Sequence, residues 1–91
     1  MLEASALPGE ELIREGLRDL DRGVESVPAL LVAIGAPRLR DLGYTVSPTN
    51  ADPEHRLYQR LAAGDPDSAH GRYNALIRRL VSFERARACV S

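Results

Sequence analysis

Lysine is missing from this chain: all twelve basic residues are arginine. Arginine's planar fork suits carboxylate and phosphate at chosen positions, but its use everywhere reads as the codon bias of a GC-rich bacterial genome. Tryptophan is also absent, and the only rings are Tyr44, Tyr58, Tyr73 and Phe83. That excludes a platform of stacked aromatics for single-stranded nucleic acid. The core must come from Leu, Ile, Val and Ala, which suits helices packing on helices. Cys89 stands alone, so no internal disulfide forms and the fold needs no oxidising compartment. It lies near the chain end, where fraying is expected, and nothing marks the electropositive pocket a reactive thiol requires.

Long apolar runs are lacking too. The most apolar stretch, "VPALLVAIGAP" from Val27 to Pro37, is well short of the roughly 20 residues a membrane-spanning helix needs. "MLEASALPGEEL" has no basic region ahead of an apolar one, so no secretory signal is expected. We expect a cytoplasmic protein that contacts no membrane. Phosphate-cradling glycine loops, a nucleophile elbow, a metalloprotease helix and paired cysteines are all absent. His55 and His70 stand fifteen positions apart with no further ligand spaced to join them, so neither a metal nor a cofactor is expected.

What is present fits one small helical domain over residues 1–91. The chain is 44 % hydrophobic and 27 % charged, ordinary for a globular protein. At this length the buried fraction of surface is modest, and a second copy or a partner is a natural supplement. Prolines and acidic residues mark helix starts and glycines mark stops. They predict four helical segments at about 8–23, 27–42 with a break near 35–37, 53–63 and 66–88.

The first segment opens with Pro8, Glu10 and Glu11, favourable at the positive end of a helix dipole. Leu12, Ile13, Leu17, Leu20 and Val24 form its apolar stripe. Gly16 and Gly23 share that stripe, and glycine on a packing face predicts close approach of another helix. The second segment has Ser26 as N-cap and Pro28 in its first turn. It is apolar all round from Leu30 to Ile34, the pattern of a buried element. Residues 44–51, "YTVSPTNA", form the main loop. Asp52 with Pro53 and Asp65 with Pro66 repeat one start signal, and the short link at 64–66 predicts a helical hairpin.

The last segment carries the candidate functional residues. At about 100° per residue, Ala69, Tyr73, Leu76, Ile77, Leu80, Val81 and Phe83 make a stripe about 160° wide, broader than a lone seam. We expect a non-catalytic interaction or homodimerisation module. Its interface is expected at Tyr73, Leu76, Leu80 and Phe83, with Arg79 and Glu84 as charged partners. The partner is a second copy or another small protein. His70 and Asn74 fall on one margin of the stripe, half-turned inward. There they satisfy groups of the 44–51 loop or line a polar pocket.

Two alternatives remain open. Residues 1–25 carry net −4 and residues 68–91 net +4, so the basic end could serve a nucleic-acid-associated, antitoxin-like regulator. Against this, Arg72, Arg78, Arg79, Arg85 and Arg87 spread around the helix, and the overall charge is −1. The opposite charges could instead bring the first and last helices together. The other alternative is a ligand-binding domain or enzyme built on His70 and Asn74 with Tyr73 and His55 or Glu11, although no nucleophile or orienting partner is marked. Leu80→Asp is predicted to yield a monomer or an unfolded chain. Light scattering and thermal melting check this, and a variant with a dimer's mass and wild-type stability removes the proposed interface.

Overall fold

The computed structural model describes residues 7–47 and 52–90, and of Val90 only the backbone. Residues 48–51 of the expected loop lie outside the described residues. The protein is all-α, with helices α1 (Glu10–Asp21), α2 (Val27–Ile34), α3 (Ala36–Asp41), α4 (Pro53–Gly64) and α5 (Ala69–Val90). Among the described residues there is no strand, and no helix is long and apolar enough to cross a membrane.

α2 lies at the centre. Ala29, Leu30, Leu31, Val32 and Ala33 are all buried, because a helix without a polar face must be covered on every side. α1, α4 and α5 supply the cover. Ser26 caps α2 as expected. Its hydroxyl oxygen accepts from the Ala29 N–H at 3.2 Å, and the hydroxyl donates to Asp19 Oδ2 of α1 at 2.6 Å. One serine thus starts α2 and fixes it to the helix before.

α1 crosses α2 at Gly16. A Cβ at Gly16 would stand 2.3 Å from the Pro28 carbonyl oxygen and 2.5 Å from Val32 Cγ2. The close approach read from the stripe is therefore real at Gly16, but not at Gly23, which has open space around it. Gly23 is instead the stop. It takes φ +74°, a left-handed conformation that glycine adopts without strain. The Gly23 N–H donates to Leu20 O and the Val24 N–H to Asp19 O, closing the helix end with a Schellman pair of bonds. The chain turns there, so Val24 leaves the stripe and is 41 % exposed.

The joint at Gly35 also serves a tertiary contact. Gly35 is buried, and a Cβ there would come within 2.9 Å of both Leu80 Cδ1 and Glu84 Oε2. α5 passes directly over the joint between α2 and α3. Gly43 ends α3 with the same paired bonds, Gly43 N–H to Arg40 O and Tyr44 N–H to Leu39 O. That turn sends Tyr44 back onto Phe83, with ring centroids 5.8 Å apart, and Val46 into the core.

The two aspartate caps are not realised as expected. Asp52 precedes α4 at φ 62° and makes no side-chain cap bond. Asp65 ends α4, and its Oδ1 accepts from the Asp67 N–H at 3.2 Å, a local turn that delays α5 to Ala69. The hairpin itself forms, with Tyr58 of α4 against Tyr73 of α5 at 5.8 Å. Leu80, at 4 % exposure, belongs to the chain's own core, so the expected outcome of Leu80→Asp narrows to unfolding.

Gly16→Ala is expected to lower stability by about 2 kcal/mol or more, because the clash is with backbone that cannot rotate away. Gly71→Ala, with nothing within 4 Å, is expected to gain about 1 kcal/mol from helix propensity. Urea midpoints at constant m check both, and equal effects would contradict the packing at Gly16.

Candidate functional site

The two faces of α5 differ. Ala69, Leu80 and Phe83 point into the core, and Tyr73, Leu76 and Ile77 are half-buried against it. Of the residues expected to anchor an interface, Leu80 and Phe83 are therefore held in the monomer's interior. An interface built on them would require α5 to leave its own core. Tyr73 is engaged with Tyr58, and its phenol is shifted above the usual tyrosine range by burial and then by the Glu54 charge.

Glu84 is only partly exposed and forms no salt bridge among the described residues. Its carboxylate lies over Gly35, half-buried, within reach of the Arg38 charge. Burial pushes its pKa above the usual glutamate value, and the attraction of Arg38 opposes that only in part.

His70 and Asn74 turn outward instead of toward the 44–51 loop. Both are exposed, and Asn74 Nδ2 lies 3.2 Å from His70 Nε2, a bond across one turn of the helix. They therefore satisfy each other at the surface and line no polar pocket at the core edge. At that level of α5, α4 packs on the Tyr73 side, with Tyr58 against Tyr73. His70, His55 and Glu11 do not gather into one cluster.

The arginines divide as well. Arg87 turns inward: its Nε donates to Tyr44 OH at 3.2 Å, and its guanidinium stands 5.6 Å from the Tyr44 ring centre. Arg72, Arg78, Arg79 and Arg85 are exposed. Their guanidinium groups have no hydrogen-bond or ion-pair partner among the described residues. With Arg87 removed from the set, the other four no longer spread around the helix. Arg72 and Arg79, seven apart, form one row, and Arg78 and Arg85, seven apart, form a second, about 120° away around the axis. Gly71, Ala75, Ser82 and Cys89 run between the rows, all exposed. Glu84 is the only carboxylate on α5, and it faces inward. The outer surface of this helix is therefore basic and carries no acid.

The acidic N-terminal part does not neutralise it. Gly9 sits against the Arg79 carbonyl, where a Cβ would be 3.4 Å away, so the start of α1 does reach α5. Among the described residues, none of the N-terminal part's acids forms an ion pair with α5, and the two that do pair find arginines elsewhere. Glu10 binds Arg14 at 2.7 Å within α1, and Glu25 binds Arg56 at 2.5 Å and Arg60 at 3.5 Å on α4. This last cluster borders an open depression of about 330 Å³ with Gln59 and Ala63. Sequence reasoning missed it, because Glu25 and Arg56 are 31 positions apart. The one-turn spacing of Arg56 and Arg60 was the only available signal. The Arg56 hydrogen bond holds the Glu25 carboxyl below the usual glutamate range.

Comparison with protein-family models, with curated proteins and with solved structures found no match to the chain.

These two carboxylates predict opposite pH effects. Glu84 is raised in the fold, so the stability linked to it is full below the unfolded glutamate value, near pH 4.5, and is lost as pH rises through the folded one. Glu84→Gln should raise the melting temperature at pH 7 and give no gain in acid. Glu25 is lowered, so its contribution is present at neutral pH and lost as pH falls. Glu25→Gln should lower the melting temperature slightly at pH 7 and not in acid. Melting curves across pH check the pair, and shifts of the same sign would refute the assignment.

Proposed function

We propose that the protein is a non-catalytic binding module of a bacterial cytoplasm that presents the outer face of α5 to an acidic macromolecule. The observation that carries this reading is the set Arg72, Arg78, Arg79 and Arg85: exposed, unpaired among the described residues, and on a helix face without a carboxylate. Four like charges on one surface repel one another, and an anionic partner removes that repulsion. The overall charge of −1 is no obstacle. Residues 1–67 hold net −5 and residues 68–91 net +4, and the screening length at physiological salt is about 8 Å.

A homodimer is the second reading. It draws on Tyr58 and Val81, which remain 38 % and 37 % exposed, and not on Leu80 and Phe83.

The test is retention on a polyanion. On heparin, the wild type should elute at salt well above about 50 mM, and the variant with Arg72, Arg78, Arg79 and Arg85 all changed to Gln should pass through with unchanged helical circular dichroism. Passage of the wild type at low salt would overturn the reading. Light scattering on the same fractions gives the mass and tests the dimer.

A further inference from the structure

The geometry points to double-stranded DNA as that acidic partner, with α5 lying in the major groove. This inference rests on the binding reading above and goes further by naming the partner. The argument is the pattern of the face and not only its charge. Two arginine rows stand about 120° apart, and each spans seven residues, about 10.5 Å along the axis. Between them runs a ridge of small side chains, Gly71, Ala75 and Ser82.

A duplex presents the complementary arrangement: two rows of phosphates flanking a groove. The major groove of B-form DNA is about 12 Å wide, and a helix with its side chains measures about 10–12 Å across. A ridge of small residues lets the helix backbone sink toward the base edges. Each arginine row then reaches the phosphates of one wall, where charges along a strand repeat every 3.4 Å or so.

An acidic protein surface fits less well. The most acidic helix of a second copy, α1, exposes Glu11, Glu15 and Asp21 interleaved with Arg14, Arg18 and Arg22, so its outer face is close to neutral. Duplex RNA fits less well too, because its major groove is too deep and narrow for side chains to read.

The full chain is titrated onto a labelled mixed-sequence DNA duplex by fluorescence anisotropy at several salt concentrations. The RNA duplex of the same sequence and polyglutamate serve as comparisons. Four phosphate contacts predict a slope of about −3.6 in log affinity against log salt, a loss of about 150-fold between about 50 and 200 mM. Ala75→Leu with Ser82→Leu keeps every charge and good helix propensity. It should weaken DNA binding by about tenfold or more through the filled ridge, with heparin elution and circular dichroism unchanged. DNA affinity indifferent to these leucines, or equal affinity for polyglutamate or duplex RNA, would overturn the groove inference and leave the binding module standing. A dimer mass that falls when the four arginines become Gln would overturn it in favour of a second copy. No retention on heparin would remove both readings.

Discussion

The helix Val27–Ile34 has no side that can face water, and the rest of the chain is arranged by the need to cover it. Each covering helix approaches through a different device. α1 comes in at Gly16, where the absence of a Cβ lets its backbone meet the Pro28 carbonyl. α5 crosses at Gly35, where the same absence admits Leu80 and Glu84. α4 closes another side with Leu57 and Leu61, both essentially inaccessible. Two glycines one helix apart thus set the distances of two neighbours. Ser26, bonded to both Ala29 and Asp19, sets the angle at which the chain enters the buried helix.

This arrangement decides what α5 can offer. Its 22 residues extend about 33 Å, close to the longest dimension of the molecule, 37 Å. Packing against α2 and α4 consumes Leu80, Phe83 and Tyr73. The apolar stripe that suggests an interface is largely the seam by which the monomer holds its own last helix. What remains outside is cationic. Glu84 is drawn over the α2–α3 joint and Arg87 is taken up by Tyr44, so the one acid and one of the five arginines leave the outer surface. The basic face is a by-product of how the inner face is satisfied.

Charge pairing follows the same logic. The acidic first quarter of the chain and the basic last quarter are opposite in sign, yet they are not joined by ion pairs among the described residues. Glu10 is closed onto Arg14 within one helix, and Glu25 is held between two arginines of α4. These are solvent-exposed pairs and each contributes little to stability. Their consequence is positional: Glu10 and Glu25 are engaged away from α5, and Arg72, Arg78, Arg79 and Arg85 have no ion pair among the described residues. A chain of this size buries a limited core, so any partner that binds only the folded form would add to its stability.

The sequence by itself determined the elements. Helix starts at Ser26 and Pro53, the end of the second segment near residue 42, the all-round apolar helix and the close-packed Gly16 were legible because caps, turns and periodicity act within a few residues of one another. Gly23, which periodicity places on the packing stripe, is instead a turn. Even the misread details are local in cause: Asp65 spends its carboxylate on the Asp67 N–H, so α5 starts at Ala69. Only the tertiary structure decided which face of α5 each residue serves. His70 and Asn74 sit on a margin that periodicity cannot assign, since a shift of a few tens of degrees in the covering helix moves them from core edge to solvent. Glu84 over Gly35, Arg87 on Tyr44 and Glu25 between Arg56 and Arg60 join residues tens of positions apart. No pattern within a single helix encodes such distances; they follow from how the helices close around α2.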